Sequence, residues 1–174
     1  GNIEVINLLS SVIEHLVKGE VMQMNGSAED RKNIDYYMQK TYYKTASLVS
    51  NSAKAIVLLA EPSVSRETAC LAQEYGRHLG LAFQLVDDVL DFTGSAKTLG
   101  KPALSDLGQG LATAPVLFAA EEYPQLRELI HRRFRREGDV DQALLWVQKS
   151  SGIERAEALA KVLRYSMYMT LFQV

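Results

Sequence analysis

The segment FQLVDDVLDF, from Phe83 to Phe92, sets three aspartates into an otherwise apolar helical pattern. Its polar residues stand at positions i, i+3, i+4 and i+7, which is one face of an α-helix: Gln84, Asp87, Asp88 and Asp91. A surface helix has the reverse arrangement, with a narrow apolar stripe on a polar cylinder. The pattern therefore predicts a helix in the middle of a bundle, with its polar face lining an internal cavity.

The rest of the chain also follows a helical period. Apolar residues at i, i+3, i+4 and i+7 predict a first amphipathic helix over residues 3–24. The same pattern and its breaks predict six more helices, over 34–59, 65–92, 112–121, 124–135, 140–149 and 153–172. Asp139 is expected to cap the helix that begins at Val140. No segment has the two-residue period of a strand, so we expect an all-α fold, a helical bundle.

Composition limits the classes of function. The 174 residues are enough for one domain with a sizeable core, and the 47% hydrophobic and 23% charged content is ordinary for a globular protein. A net charge of -2 does not favour a nucleic-acid partner. Cys70 is the single cysteine, which excludes an internal disulfide and a cysteine metal cluster. No apolar run approaches the ~20 residues that cross a bilayer, so no transmembrane segment is expected.

Three carboxylates on one buried helix face need compensation. In a low dielectric their mutual repulsion would raise their pKa values unless cations were close by. Mg²⁺ is the expected cation, because it prefers oxygen ligands and combines one or two carboxylates with substrate phosphates. A solvated acidic patch at a helix end is the alternative, which the apolar flanking residues do not favour.

The segment KTYYKTASL, residues 40–48, offers groups that bind a phosphate. Lys44 carries an ammonium group, and the adjacent Thr45 carries a hydroxyl. Regular helical spacing would place four residues on one face: Thr41, Lys44, Thr45 and Leu48. Taken alone, this pair is a weak signal.

Two further charged positions are candidates. In TLGKP, residues 98–102, Gly100 frees the backbone and Lys101 can extend over a cavity mouth, although a loop lysine is more often solvated. Glu20 continues the apolar stripe of the first helix. We expect its carboxylate to be buried or paired, with Lys44 or with a backbone donor, and a structural role is as consistent with this position as a catalytic one.

Together these segments resemble the trans-isoprenyl diphosphate synthases. Five family motifs occur in the family's order: GEVMQ at 19–23, KT at 44–45, FQLVDDVLD at 83–91, GK at 100–101 and SDLGQGLATAPVLFA at 105–119. The last is most similar to the long-chain polyprenyl and plant geranyl branches. The resemblance covers roughly residues 1–160 and makes DDVLD the family's second DDxxD motif. It implies an all-α bundle of the isoprenoid synthase type without its N-terminal part, with residues 1–174 forming a single domain that corresponds to the C-terminal half of a polyprenyl diphosphate synthase.

The resemblance also implies a reaction, the head-to-tail condensation of isopentenyl diphosphate with an allylic diphosphate. Mg²⁺ would be the cofactor, held by Asp87, Asp88 and Asp91. The allylic diphosphate would be bound by Lys44, Thr45, Gln84 and Lys101. Within these two sets the catalytic residues would be Asp87, Asp88, Lys44 and Lys101.

The chain departs from the family pattern in ways that leave alternatives open. It contains no first DDxxD motif, and Leu111 stands where the family often has a lysine. We therefore expect the isolated chain to have little or no synthase activity. The alternative is a non-catalytic regulatory subunit of a heteromeric synthase, and a terpene cyclase is disfavoured because the KT and GK motifs belong to the synthases. A homo- or heterodimer is expected, in a mitochondrion or plastid, with the cytoplasm as an alternative.

Overall fold

The structure is a computed structural model that describes residues 2–60, 64–94 and 104–172. The helices, in chain order, are α1 (Ile3–Asn25), α2 (Ile34–Thr41), α3 (Ser47–Ala60), α4 (Arg66–Thr93), α5 (Ser105–Gly108), α6 (Ala114–Glu122), α7 (Leu126–His131), α8 (Asp139–Lys149) and α9 (Gly152–Leu171). A 3₁₀ turn, Asp30–Lys32, precedes α2, and a π-helical turn, Tyr42–Ala46, joins α2 to α3. None of the described residues forms a strand, which confirms the all-α prediction.

Side-chain caps fix where three helices begin. Asn2 accepts hydrogen bonds from the backbone N–H groups at the start of α1, at 3.0 and 3.3 Å. Asn33 does the same for α2, at 2.7 and 3.2 Å, and Ser65 accepts one from Thr68 at the start of α4. Each cap satisfies amide groups that have no partner inside the helix, so the sequence itself defines these boundaries.

The helix predicted over residues 124–135 is shorter than expected. Helix α7 ends at His131, and the next turn contains Arg133 and Phe134 with φ angles of 56° and 52°. Both residues are in the left-handed region, where a residue with a Cβ atom is uncommon. The burial of Phe134 accompanies this turn. Sequence periodicity did not indicate the break, because no glycine or proline marks it.

The role expected for Asp139 is wrong. Asp139 is the first residue of α8, and the cap position before it is occupied by Gly138, which has no side chain to cap the helix. The Asp139 carboxylate instead accepts two hydrogen bonds from the Arg132 guanidinium, at 2.8 and 2.7 Å, and one from the Arg136 N–H at 3.1 Å. These bonds hold its pKa below the ordinary value, chiefly through Arg132.

The chain divides into two compact units. The first contains the described residues within 1–25, 38–84 and 160–174, and the second those within 26–37 and 85–159. The prediction that residues 1–174 form a single domain remains a prediction. In the second unit, α6 is the centre of the core, because every residue from Ala114 to Ala120 is buried. Helices α7 and α8 pack against it.

In the first unit, α1 packs along α3 and the π-helical turn. A Cβ atom at Gly19 would lie 2.7 Å from the backbone nitrogen of Lys44, and one at Gly80 would lie 2.6 Å from the Cα atom of Ala46. Both distances are far below van der Waals contact, so only glycine permits these approaches. The turn is therefore held between α1 and α4 by two residues that have no side chain.

A buried amide connects the helices of the same unit. The Asn51 Nδ2 group donates to the backbone oxygen of Leu8 and to the Ser11 hydroxyl, at 3.1 and 3.0 Å. Its Oδ1 atom accepts a hydrogen bond from Gln73 at 3.1 Å. Asn51 thus links α3 to α1 and α4, and its buried polar atoms are paired as burial requires.

Among the helices of the described ranges, none combines the length and the apolar character that crossing a bilayer requires.

Candidate functional site

Lys44 and Thr45 lie in a polar group on the surface of the first unit, which we call the KT cluster: Glu20, Lys44, Thr45 and Gln84. The Lys44 ammonium is 2.9 Å from a carboxylate oxygen of Glu20, and the two side chains are 38% and 50% exposed. The Thr45 hydroxyl donates to the amide oxygen of Gln84 at 3.0 Å. Of the alternatives expected for Glu20, the structure shows the pair with Lys44 and not burial.

Within the KT cluster, Lys44 and Thr45 lie in a π-helical turn. The Ser47 N–H donates to the carbonyl of Tyr42, five residues earlier, and the Ser47 hydroxyl donates to the carbonyl of Tyr43 at 2.9 Å. Such turns are rare and occur frequently at functional sites. The single helical face expected for this segment is wrong, because its spacing assumed 3.6 residues per turn. Thr41 is buried, whereas Leu48 is 50% exposed.

Aromatic and cationic side chains contact the same turn from α1. The His15 ring lies 6.0 Å from the Tyr42 ring and 5.2 Å from the Tyr43 ring, measured between centroids. The Lys18 ammonium donates to the Tyr43 hydroxyl at 2.8 Å. Sequence reasoning missed these contacts, and the only available signal was the tyrosine pair inside the KTYYKT segment.

The three aspartates of DDVLD lie on α4, and two of them are buried in the second unit. Helix α4 is unbroken from Arg66 to Thr93, so the predicted spacing of the polar face is confirmed. Asp88 is 2% exposed and Asp91 is fully buried, whereas Asp87 is half-buried. The polar side of α4 is therefore buried at Asp88 and Asp91. The prediction that this helix lies in the middle of a bundle is wrong for the described residues, because Phe83, Val86 and Leu90 on its apolar side are 66%, 48% and 41% exposed.

Each buried aspartate accepts hydrogen bonds from groups that the sequence did not indicate. The Tyr37 hydroxyl donates to Asp88 at 2.5 Å. The Asp91 carboxylate accepts the backbone N–H groups of Ser105 and Asp106, at 3.2 and 3.1 Å, and thereby caps α5. We call Tyr37, Asp88, Asp91 and these two amides the acidic cluster. These hydrogen bonds satisfy carboxylate oxygens that are shielded from water, as burial of a polar group requires.

The three carboxylates of α4 are the type of ligand that Mg²⁺ prefers, but as described they do not form a closed coordination site. Within residues 2–60, 64–94 and 104–172, no group of three or more acidic, histidine or cysteine side chains is arranged to hold a metal ion. Mg²⁺ does not need such a cage, because one or two carboxylates, water and substrate phosphates complete its octahedron. Asp87 is the most accessible of the three carboxylates and is compatible with this mode of binding.

Lys101 and Gly100 lie outside the described residues. Their assignment to a substrate-binding loop therefore remains a prediction from the sequence.

Comparison with known proteins agrees with the fold and the motifs. The chain belongs to the polyprenyl synthetase family, whose profile matches residues 1–147. It is 54% identical over 161 residues to solanesyl-diphosphate synthase 1, mitochondrial, of rice (Oryza sativa subsp. japonica), covering 92% of this chain and 37% of the relative. It is 56% identical over 159 residues to solanesyl diphosphate synthase 3, chloroplastic/mitochondrial, of Arabidopsis thaliana, covering 91% of this chain and 37% of that one.

A solved structure shows the same fold. The apo form of an Arabidopsis medium/long-chain length prenyl pyrophosphate synthase matches with a TM-score of 0.89 and 51% identity, over 99% of this chain and 57% of that chain. This confirms the isoprenoid synthase type of all-α fold. The chain spans 37% of the length of the two plant relatives above, so it corresponds to part of such a protein.

Proposed function

We propose that this chain supplies a diphosphate-binding and Mg²⁺-binding part of a polyprenyl diphosphate synthase. The complete enzyme would condense isopentenyl diphosphate with an allylic diphosphate and lengthen a prenyl chain. One observation carries the proposal: in a chain of this family, the π-helical turn presents Lys44 and Thr45 beside Gln84, with Lys44 neutralised by Glu20.

The KT cluster has the properties of a diphosphate-binding site without its ligand. The Lys44–Glu20 pair is half-exposed, and such pairs contribute only about 0–1 kcal/mol, so exchanging the carboxylate for a phosphate costs little. The hydrogen bond between Thr45 and Gln84 fixes both side chains. Bonds from an ammonium to phosphate oxygens strengthen as the diphosphate departs and gains charge.

The acidic face of α4, which carries Asp87, Asp88 and Asp91, would hold Mg²⁺. Bound there, the ion would supply positive charge that stabilises the departing diphosphate. Asp87 is proposed as the direct ligand because it is the most accessible, with Asp88 and Asp91 positioning the helix through their hydrogen bonds. Lys101 is proposed as a further diphosphate ligand on the family resemblance alone.

Further features of the complete enzyme follow from the same proposal. Residues 1–174 are proposed to be one domain, the second half of the synthase. The relatives named above are mitochondrial or chloroplastic, which supports a mitochondrion or plastid for the parent protein. Helix α1 exposes large apolar side chains, including Ile3, Ile13 and Val17 at 74%, 67% and 60%. Such a surface supports association into a homo- or heterodimer.

Reconstitution in trans tests the proposal. The chain is mixed with the part of the rice synthase that it does not match, together with labelled isopentenyl diphosphate, an allylic primer and Mg²⁺. We expect product from the mixture and little from either piece. Lys44→Gln should reduce product formation by about 10²-fold or more, as removing one transition-state donor does. Lys149→Gln, an exposed position on α8, is the matched control and should retain activity.

The outcomes separate the alternatives. A chain that fails to complement, but changes the rate or product length of the complete rice enzyme, is a regulatory subunit. A mixture in which Lys44→Gln is as active as the unchanged chain contradicts the proposed role of the KT cluster.

A further inference from the structure

A cluster of arginines in the second unit has no role in the proposed reaction. The segment HRRFRR, residues 131–136, begins at the last residue of α7, and we call it the arginine loop. Its side chains line a cavity of about 480 Å³: His131, Arg132, Arg133, Arg135 and Arg136. None of these residues was singled out from the sequence, because a charge run usually indicates only a solvated surface.

The arginine loop is built to keep one conformation. Arg133 and Phe134 have φ angles of 56° and 52°, a region that residues with a Cβ atom rarely adopt, and the buried Phe134 ring anchors the turn. A Cβ atom at Gly110 would lie 3.0 Å from the Arg133 carbonyl oxygen, so the loop packs closely on that backbone. Asp139 then fixes the two ends through Arg132 and the Arg136 N–H. Strained backbone that is held in this way is typical of binding sites.

The positive charge of the loop is only partly neutralised. Asp139 pairs with Arg132 at 2.7 Å, but within the described ranges no carboxylate forms an ion pair with Arg135 or Arg136, whose side chains are exposed. Glu128 acts on Arg132 by charge alone, and the exposed Glu137 makes no ion pair within those ranges. The loop therefore has positive charge available to an anion.

A further arginine reaches the loop from the 3₁₀ turn. Arg31 donates to the His131 carbonyl at 3.4 Å, and its buried Nε atom has no hydrogen-bond partner among the residues described. Burial, and then the positive charge of Arg133, lower the pKa of Arg31. An anion here would relieve that repulsion.

We propose that the arginine loop binds a phosphate group. The guanidinium group is planar and forms paired hydrogen bonds with phosphate oxygens, which makes arginine the side chain best suited to this ligand. The open pocket that the loop lines is large enough to admit a phosphate group. The phosphate belongs either to a free diphosphate or to the headgroup of an anionic phospholipid. The site uses none of the residues that we assign to substrate or Mg²⁺.

Binding is tested on the full chain in the presence of EDTA, which removes the contribution of Mg²⁺ sites. One arm measures inorganic diphosphate by calorimetry, and the other measures co-sedimentation with phosphatidylcholine vesicles with and without phosphatidylglycerol. The double variant Arg135→Gln/Arg136→Gln should bind at least about 10-fold more weakly, as expected for the loss of charge-assisted bonds. The matched control, Arg66→Gln/Arg164→Gln, removes the same charge at exposed positions outside the loop and should bind normally.

Two further changes test the geometry of the site and its independence from the KT cluster. Arg135→Lys/Arg136→Lys keeps the charge but loses the paired geometry, so its binding should be intermediate. The diphosphate arm is also run with Lys44→Gln introduced into every variant, which removes the contribution of the KT cluster, so the difference between the remaining signals belongs to the arginine loop. Loss in the diphosphate arm supports a soluble ligand, and loss in the vesicle arm supports a headgroup. Equal loss in both double glutamine variants, or no binding of the unchanged chain in either arm, overturns the proposal.

Discussion

The KT cluster and the acidic cluster carry neighbouring motifs of one family but differ in burial. Lys44 and Glu20 form an ion pair that is half-exposed to water. Asp88 and Asp91 are almost fully buried and accept hydrogen bonds from a hydroxyl and two backbone amides. Residues grouped by a sequence motif therefore divide into two kinds: those that can exchange a partner for a ligand, and those that also stabilise the fold.

Burial sets the energy of each contact. An exposed ion pair contributes about 0–1 kcal/mol, because water screens its charges. A buried charged hydrogen bond contributes about 1.5–3 kcal/mol, and its loss leaves polar groups without partners. Substitutions in the acidic cluster should therefore reduce the free energy of unfolding, and those in the KT cluster should not.

Asp91→Ala should have the largest effect. It removes the acceptor of two backbone N–H groups at the start of α5. The free energy of unfolding should fall by about 3 kcal/mol or more, measured by urea denaturation followed by circular dichroism. Asp87→Ala, on the same helix but half-buried, is the control and should cost less than about 1 kcal/mol. Equal losses in the two variants would contradict the division between the clusters.

Tyr37→Phe should have an intermediate effect. It keeps the buried ring but removes the hydroxyl that donates to Asp88. Unfolding should become easier by about 1–2 kcal/mol in the same urea experiment. In the control, Tyr123→Phe, the hydroxyl makes no hydrogen bond within the described part of the chain, so the loss should stay under about 0.5 kcal/mol. A Tyr37 variant as stable as the control would show that Asp88 does not depend on this donor.

Asp139→Asn extends the comparison to a buried carboxylate paired with a cation. Arg132 lowers the pKa of Asp139 in the folded chain. Its stabilising effect is therefore complete above the unfolded pKa, about 3.9, and is lost as the pH falls through the lower folded value. The variant should be less stable than the unchanged chain at neutral pH, and the two should converge in acid. Urea midpoints measured from neutral pH downward, with Asp141→Asn as control, check this, and a gap that stays constant with pH would refute it.

Lys44→Gln should have the smallest effect on stability. Its ion pair with Glu20 is half-exposed, so the free energy of unfolding should change by no more than about 0.5 kcal/mol. The same variant should lose activity in the reconstituted enzyme. A Lys44 variant as destabilised as Tyr37→Phe would place Lys44 among the residues that hold the fold.

Helical periodicity predicted much of the fold and part of the site. The bounds expected for α1, α4, α8 and α9 agree with the structure to within a residue or two, because each helix has a regular apolar stripe and a clear stop. The position of Glu20 in an apolar stripe predicted burial or a partner, with Lys44 as one candidate, and Lys44 is the partner that the structure shows.

The missed features depend on contacts that a local pattern does not contain. Tyr37 and Asp88 are 51 positions apart, so no spacing rule connects them. The amides that bind Asp91 belong to residues 14 and 15 positions away, across a segment without helical period. Arg133 and Phe134 adopt left-handed conformations without the glycine that would have indicated them.

The π-helical turn from Tyr42 to Ala46 closes over one more residue than an α-helical turn. It can therefore absorb an added residue while the helices before and after it keep their alignment. Deleting one residue here would leave a straight helix in which Ser47 and Asn51 keep their neighbours, but the widened backbone that carries Lys44 and Thr45 would be lost. A one-residue deletion in this segment would therefore remove the binding site and leave the helix packing in place. A side-chain substitution does not test the role of the widened backbone in this way.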